Sequence, residues 1–214
     1  MSAAGAIFAA TGLVAYLLGS VSGALVIGRL RGGVDIRTLG SGNAGGTNAL
    51  RTQGPAFALG VVVIDLGKGW LAAAALPVVA RSAGASSVWL PAACAFAAML
   101  GHVWPAWHGF RGGKGAATLV GALLALSPAA LGVVLGVWLS MAVLFGFVGL
   151  ASIVATAALP IAVWFGRIVP LVPMLAFGIA AAVLVLYTHR GNLARMRAGT
   201  EPRARRLWLF GRGR

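Results

Sequence analysis

Between Gly115 and Tyr187 the chain carries a single charged residue, Arg167. A membrane-spanning helix needs about 20 apolar residues, so this run is too long for one span and has to be divided. The natural breaks are Pro128, the segment Gly146 to Gly149, and the Gly166–Arg167 pair. They predict helices over 115–127, 129–147, 150–165 and 168–187. Upstream, apolar runs cover 6–28, 55–80 and 87–104. The expectation is an all-α integral membrane protein with about seven transmembrane helices, of which 115–127 is short for a full span.

Composition agrees and excludes other classes. The chain is 60% hydrophobic and 9% charged, yet its formal net charge is +14, whereas soluble domains carry about 25% charged residues. A soluble nucleic-acid binder needs a hydrated, charged surface, which this chain cannot supply. One cysteine, Cys94, excludes a disulfide scaffold, and the hydrophobicity excludes disorder. The acids are Asp35, Asp65 and Glu201 alone, too few for chemistry built on paired carboxylates.

The basic residues orient the spans. With the N-terminus outside, the cytoplasm receives 29–54, 105–114 and the tail from Thr188. The first holds Arg29, Arg31, Arg37 and Arg51, the second Arg111 and Lys114, and the tail eight arginines. Fourteen of the 17 basic residues then lie inside, against Arg81 and Arg167 outside and Lys68 within a helix. An even number of spans would spoil this division.

Three polar segments hold the unusual chemistry. The first reads Gly40-Ser-Gly-Asn-Ala-Gly-Gly-Thr-Asn-Ala-Leu-Arg51. Its glycines let backbone N–H groups converge on an anion. Ser41, Asn43, Thr47 and Asn48 add neutral hydrogen-bonding groups, and Arg51 adds a fork suited to phosphate. The bland alternative is a flexible loop. The second segment, Gly101 to Gly115, ends in Gly112-Gly113-Lys114-Gly115, which places a cation and free N–H groups at the start of a helix. It is not a P-loop: His108 stands where the first Gly is required, and Gly115 follows the lysine where Ser or Thr should hold magnesium. Its bland alternative is a basic anchor with Trp104 and Trp107 at the membrane interface. The third segment places His189, Asn192 and Arg195 three residues apart on one helix face, with Gly199 ending that helix. For Arg203, Arg205, Arg206, Arg212 and Arg214 the reading is attraction to anionic lipid and nothing more specific.

Other chemistries find little support. The scattered histidines and acids give no metal site of ordinary spacing, and His102 and His108 are a weak pair. No G-x-S-x-G elbow is present, and neither is the H-x4-D motif of another glycerolipid acyltransferase class. Asp65 and Lys68, three apart in a membrane helix, read as a structural ion pair rather than a functional one. Cys94 reads as an inert apolar residue. The residues themselves therefore describe a polytopic membrane protein with a cytoplasm-facing site for phosphorylated anions, without metal or cofactor.

In this order and spacing the three segments resemble the bacterial acyl-phosphate-dependent glycerol-3-phosphate acyltransferases, the PlsY family. The family pattern G-S-G-N-x-G-[AG]-T-N-x-x-R is matched from Gly40 to Arg51. Its second motif is matched by Gly101, His102, Pro105, Phe110 and Gly112 to Thr118, and its third by His189, Asn192, Leu193, Arg195 and Gly199 to Glu201. Asp65, Lys68 and Gly69 also resemble the family, and the likeness extends over residues 10–202. Gly46, where Ala is frequent, and an Arg-rich extension after Glu201 are the departures.

The resemblance implies a single acyltransferase domain over 1–202 with a basic cytoplasmic tail at 203–214, in the bacterial inner membrane. It implies acyl phosphate and glycerol 3-phosphate as substrates, membrane lipid as surroundings, no nucleic acid, and 1-acylglycerol 3-phosphate (lysophosphatidic acid) and inorganic phosphate as products. By position, Ser41, Gly42 and Thr47 would hold the acyl-phosphate head. Arg51, Lys114, Asn43, His189 and Asn192 would hold glycerol 3-phosphate or the leaving phosphate. Gly40, Gly45, Asn48, Gly112, Gly113 and Ser152 are further candidate phosphate contacts. A transporter of small phosphorylated anions is the competing class; it predicts an internal repeat and a midplane site, and no clear repeat is seen.

Overall fold

The computed structural model describes residues 2–205 and 207–211. Among them are ten α-helices and three short 3-10 turns, and no strand. The helices are α1 (Ala3–Gly19), α2 (Gly23–Leu30), α3 (Gly46–Gln53), α4 (Pro55–Ser82), α5 (Leu90–Val103), α6 (Ala116–Leu126), α7 (Pro128–Phe145), α8 (Val148–Phe165), α9 (Leu171–Thr188) and α10 (Arg190–Arg197). They form two compact units, residues 1–126 and 127–214.

Four helices, α4, α7, α8 and α9, have the length and hydropathy to cross a bilayer, and α1 with α2, bent by 45°, meets the same criteria as a pair, in the manner of a broken span or a re-entrant loop. The apolar run 6–28, expected to be one helix, is therefore broken at Ser20-Val21-Ser22. α6 has 11 residues, a length of about 16 Å, well short of a hydrocarbon core of about 30 Å.

In the first unit α4 is the hub: α1, α2, α3, α5 and α6 all pack on it. The seams are lined by small residues, so backbones approach closely. A Cβ at Gly19 or Gly101 would overlap the backbone of Ala98 or Tyr16 between α1 and α5, and one at Gly121 would overlap Leu66 between α6 and α4. The associated core is Ala15, Ala72, Ala80, Ala85, Leu90, Cys94 and Ala98. Van der Waals packing of small residues is what holds helices together where lipid removes the hydrophobic drive. Large side chains such as Leu13, Leu59, Val63 and Val78 point outward.

Asp65 and Lys68 explain the broken run. The break strands backbone groups that no helix can pair, and a bilayer offers no water to pair them. Lys68 Nζ donates to the Val21 carbonyl at 2.8 Å, and Asp65 Oδ1 accepts from the Gly23 N–H at 3.1 Å. The two side chains meet each other at 2.9 Å, both almost fully buried. The structural ion pair expected from the sequence therefore seals the gap between α1 and α2.

In the second unit α8 packs on α7, α9 and α10. Ser127 caps α7, accepting from the Ala130 N–H at 3.2 Å ahead of Pro128. Gly146, at φ 77°, ends α7 in the left-handed region that favours glycine. The chain after Glu201 returns to this turn. Ala204 N–H donates to the Gly146 carbonyl at 2.8 Å, and the Arg203 guanidinium lies 4.7 Å from the Phe147 ring and 4.0 Å from the Trp208 ring. Arg203 is thus held between two aromatic faces, which corrects the expectation of a tail attracted only to lipid. Arg206, Arg212 and Arg214 lie outside the described residues.

Candidate active site

The first polar segment is an ordered loop. Ile36 and Ala44 are fully buried in a cluster with Ala24, Ala49, Phe57, Ala58 and Val61, so apolar anchors hold it on α2, α3 and α4. Asn48 organises the turn above them. Its Oδ1 accepts from the Ser41 N–H at 3.0 Å, and its amide donates to the carbonyls of Ile36 and Leu39 at 3.0 Å and of Asn43 at 3.1 Å. Asn48 is buried, so its side chain shapes the loop from within. Gly40 and Gly42 have φ of 57° and 70°, which favour glycine, and the Asn48 Oδ1 atom fills the space a Cβ at Gly40 would need. Ser41, Thr47 and Arg51 are exposed around this frame, and Asn43 is partly exposed.

Arg37, which the sequence suggests only as a topology charge, ties this loop to the second. Its Nε and Nη2 grip the Asp35 carboxylate at 2.7–3.1 Å, and its Nη1 donates to the carbonyls of His108 and Arg111 at 2.9 and 3.1 Å. Hydrogen bonding to Arg37 holds the Asp35 carboxyl below its usual range, against the opposing effect of burial. Burial, reinforced by the neighbouring Arg37 cation, pushes the His108 imidazole below its ordinary value.

The second loop folds back on the end of α5. Gly112 N–H donates to the Val103 carbonyl at 3.1 Å, and Gly113 N–H to the His102 carbonyl at 3.0 Å. Both N–H groups are engaged in the chain's own backbone, which corrects the expectation that they stand free for an anion. A Cβ at Gly112 would overlap the His102 carbonyl, so the close approach requires glycine. Lys114, partly exposed, follows at the start of α6.

In the second unit His189 sits buried at the joint between α9 and α10. Its Nδ1 lies 2.8 Å from the Val185 carbonyl, which can only accept, so Nδ1 carries the proton and a neutral ring leaves Nε2 as the basic atom. Asn192 Nδ2 donates to Glu201 Oε1 at 2.6 Å, and Arg195 Nε to Glu201 Oε2 at 2.7 Å. Gly199, at φ 71°, turns the chain so that Glu201 can reach back, which is the helix end expected there. Gly149 of α8 lies against the Asn192 side chain, where a Cβ would come within 2.8 Å. Ser152 is buried, accepting from Trp138 Nε1 at 3.3 Å and donating to the Val148 carbonyl at 3.0 Å. Glu201, matched in the third motif but given no role there, and Arg37, read only as a topology charge, are the residues whose contacts order these segments. Their signal was charge: Glu201 is one of three acids, and Arg37 lies beside another, Asp35, a few residues from a polar motif.

The class that this fold and these residues define is an all-helical integral membrane protein with loops that carry glycine, amide and cationic groups. The comparisons with known proteins then narrow it. The glycerol-3-phosphate acyltransferase family model matches residues 9–199. A glycerol-3-phosphate acyltransferase of Synechococcus sp. (strain JA-2-3B'a(2-13)) is 43% identical over 194 residues, covering 90% of this chain and 92% of that one. One of Neisseria meningitidis serogroup B is 42% identical over 188 residues, covering 88% and 92%. The crystal structures of PlsY, an integral membrane glycerol 3-phosphate acyltransferase, in its glycerol 3-phosphate and lysophosphatidic acid forms are 34% identical, covering 92% of this chain and 94% of that one, with TM-scores of 0.82 and 0.80. The chain belongs to the glycerol-3-phosphate acyltransferase family, and it is an acyltransferase.

Proposed function

We propose that the protein transfers an acyl chain from acyl phosphate to the 1-hydroxyl of glycerol 3-phosphate, giving lysophosphatidic acid and inorganic phosphate. The observation that carries this reading is the likeness to PlsY solved with the acceptor and with the product, at TM-scores of 0.82 and 0.80. The acyltransferase domain is 1–202, with 203–214 as its cytoplasmic extension. The chain crosses the bacterial inner membrane seven times only if the 14-residue α5 and the 11-residue α6 each serve as a short span, and its C-terminus and site face the cytoplasm. The bias of basic residues toward 29–54, 105–114 and the tail supports that topology.

Acyl phosphate is a mixed anhydride, so its phosphate leaves without strong general-acid help. The hydroxyl oxygen of glycerol 3-phosphate attacks the acyl carbonyl carbon. The bond from that carbon to the phosphate oxygen breaks, and the hydroxyl proton passes to a phosphate oxygen or to His189. Nε2 is the basic atom left by the Val185 bond. Rate comes from bringing two anions together and stabilising the developing charge. Ser41, Gly42 and Thr47, with Gly40 and Gly45, take the acyl-phosphate head. Arg51, Lys114, Asn43, His189 and Asn192 take glycerol 3-phosphate and the leaving phosphate. Gly112, Gly113, Asn48 and Ser152 act beneath these groups, their polar atoms being engaged within the chain. Among the described residues no side chain is set up as an activated nucleophile, which supports direct transfer.

Detergent-solubilised protein given palmitoyl phosphate and glycerol 3-phosphate is expected to release phosphate only when both are present. Silence there, with phosphate-ester flux in liposomes, would replace this reading by transport.

A further inference from the structure

His102 is a buried histidine that no part of the proposed mechanism uses. Its surroundings are nonetheless built with care. On one edge, Nδ1 lies 3.5 Å from Asp65 Oδ1. Asp65 is itself fixed by Lys68 at 2.9 Å and by the Gly23 N–H at 3.1 Å. Nδ1 makes no hydrogen bond there, so the carboxylate acts on this edge of the ring as a nearby negative charge, and Nε2 lies on the opposite edge. On the other edge lies the second glycine loop. A Cβ at Gly113 would overlap the Nε2 atom, and it would also come within 3.0 Å of the Ala44 carbonyl of the first loop. Gly113 is not in the left-handed region; it is glycine for space, and His102 defines that space. The same histidine accepts the Gly113 N–H on its own carbonyl at 3.0 Å.

We infer that His102 is a positioning residue for the second loop. The buried ring stands with Asp65 3.5 Å from one edge, and its Nε2 edge sets how closely Gly113, and with it the backbone of Lys114, approaches Ala44. The buried ion pair thereby faces in two directions. It seals the break between α1 and α2, and it stands beside the histidine on which the two loops are registered. The inference rests on the acyltransferase reading, because the quantity it controls is capture of the phosphorylated acceptor.

The test is steady-state kinetics of the full chain in detergent with palmitoyl phosphate and glycerol 3-phosphate, with a thermal melt of each variant. Asn mimics the Nδ1 side of histidine and Gln reaches the Nε2 position. H102N is expected to raise KM for glycerol 3-phosphate about tenfold or more with kcat within about threefold, the scale of loss that misplacing a binding group produces. H102Q is expected to recover most of that loss. G113A, which leaves His102 in place and pushes the loop off the same edge, is expected to reproduce the rise in KM; it decides the matter if H102N does not fold. A lowered melt with unchanged KM in H102N, an H102Q no better than H102N, or a wild-type KM in G113A would each overturn the inference. An inactive wild type would overturn the acyltransferase reading and this inference together. An active wild type with unaffected variants would overturn this inference alone.

Discussion

Glu201 Oε1 accepts from the Asn192 amide at 2.6 Å while its other oxygen holds Arg195 at 2.7 Å. One carboxylate thereby fixes the direction in which a proposed substrate-contacting amide points, from nine residues downstream. E201A leaves a buried amide without its acceptor, at a cost of about 1–3 kcal/mol. It is expected to lower both the melting temperature and kcat. E201Q keeps an acceptor for Asn192 and loses the Arg195 ion pair, so its activity should lie between the two. Melting curves and initial rates on the three proteins check this.

The Asp65–Lys68 pair makes a sharper stability prediction. Removing one member of a buried pair leaves an uncompensated charge and costs about 3–5 kcal/mol. K68M is expected to be severely destabilised or absent from the membrane. The double variant D65N/K68M retains no net charge and should be better tolerated than K68M alone. Expression level and detergent melting compare them.

Asp35 links the two loops to pH. Its carboxyl is held below the ordinary value of 3.8, first by its hydrogen bond to Arg37. A depressed carboxylate stabilises the fold above its unfolded value and loses that contribution as pH falls through the folded one. Wild type is therefore expected to melt above D35N at pH 6. The gap should close as pH is lowered below about 3.8, the value expected of the free group. A gap independent of pH would contradict the role given to the Arg37–Asp35 tie.

Arg203 between Phe147 and Trp208 predicts that the tail is docked. Arg203 is exposed, and a cation–π contact at an exposed site is worth about 0.5–1 kcal/mol. W208A should free the segment and speed tryptic cleavage after Arg203 and Arg205, read by mass spectrometry on a time course.

The sequence showed where the polar loops lie because glycine, asparagine and arginine cluster there against an apolar background. It also placed most helix ends, since Pro128, Gly146 and Gly199 act on the local backbone. The break at Ser20-Val21-Ser22 was hidden because serine and valine are ordinary in a membrane helix. What makes the break stable is an ion pair more than forty residues away. Asn48 looked like a substrate contact because an exposed ligand and a loop-organising amide have the same composition signal; only its four partners separate them. His102 was read only as half of a weak metal pair and as part of the second motif, and Arg37 only as a topology charge, for the same reason. Their partners, Asp65 and the carbonyls of His108 and Arg111, are distant in sequence.

The central claim is direct acyl transfer from acyl phosphate to glycerol 3-phosphate. Purified protein supplied with palmitoyl phosphate labelled in the acyl chain, and with glycerol 3-phosphate, tests it most directly. The account predicts that the label appears in lysophosphatidic acid with one inorganic phosphate released per molecule formed. Label recovered only in free palmitate, or in no product at all, would contradict it.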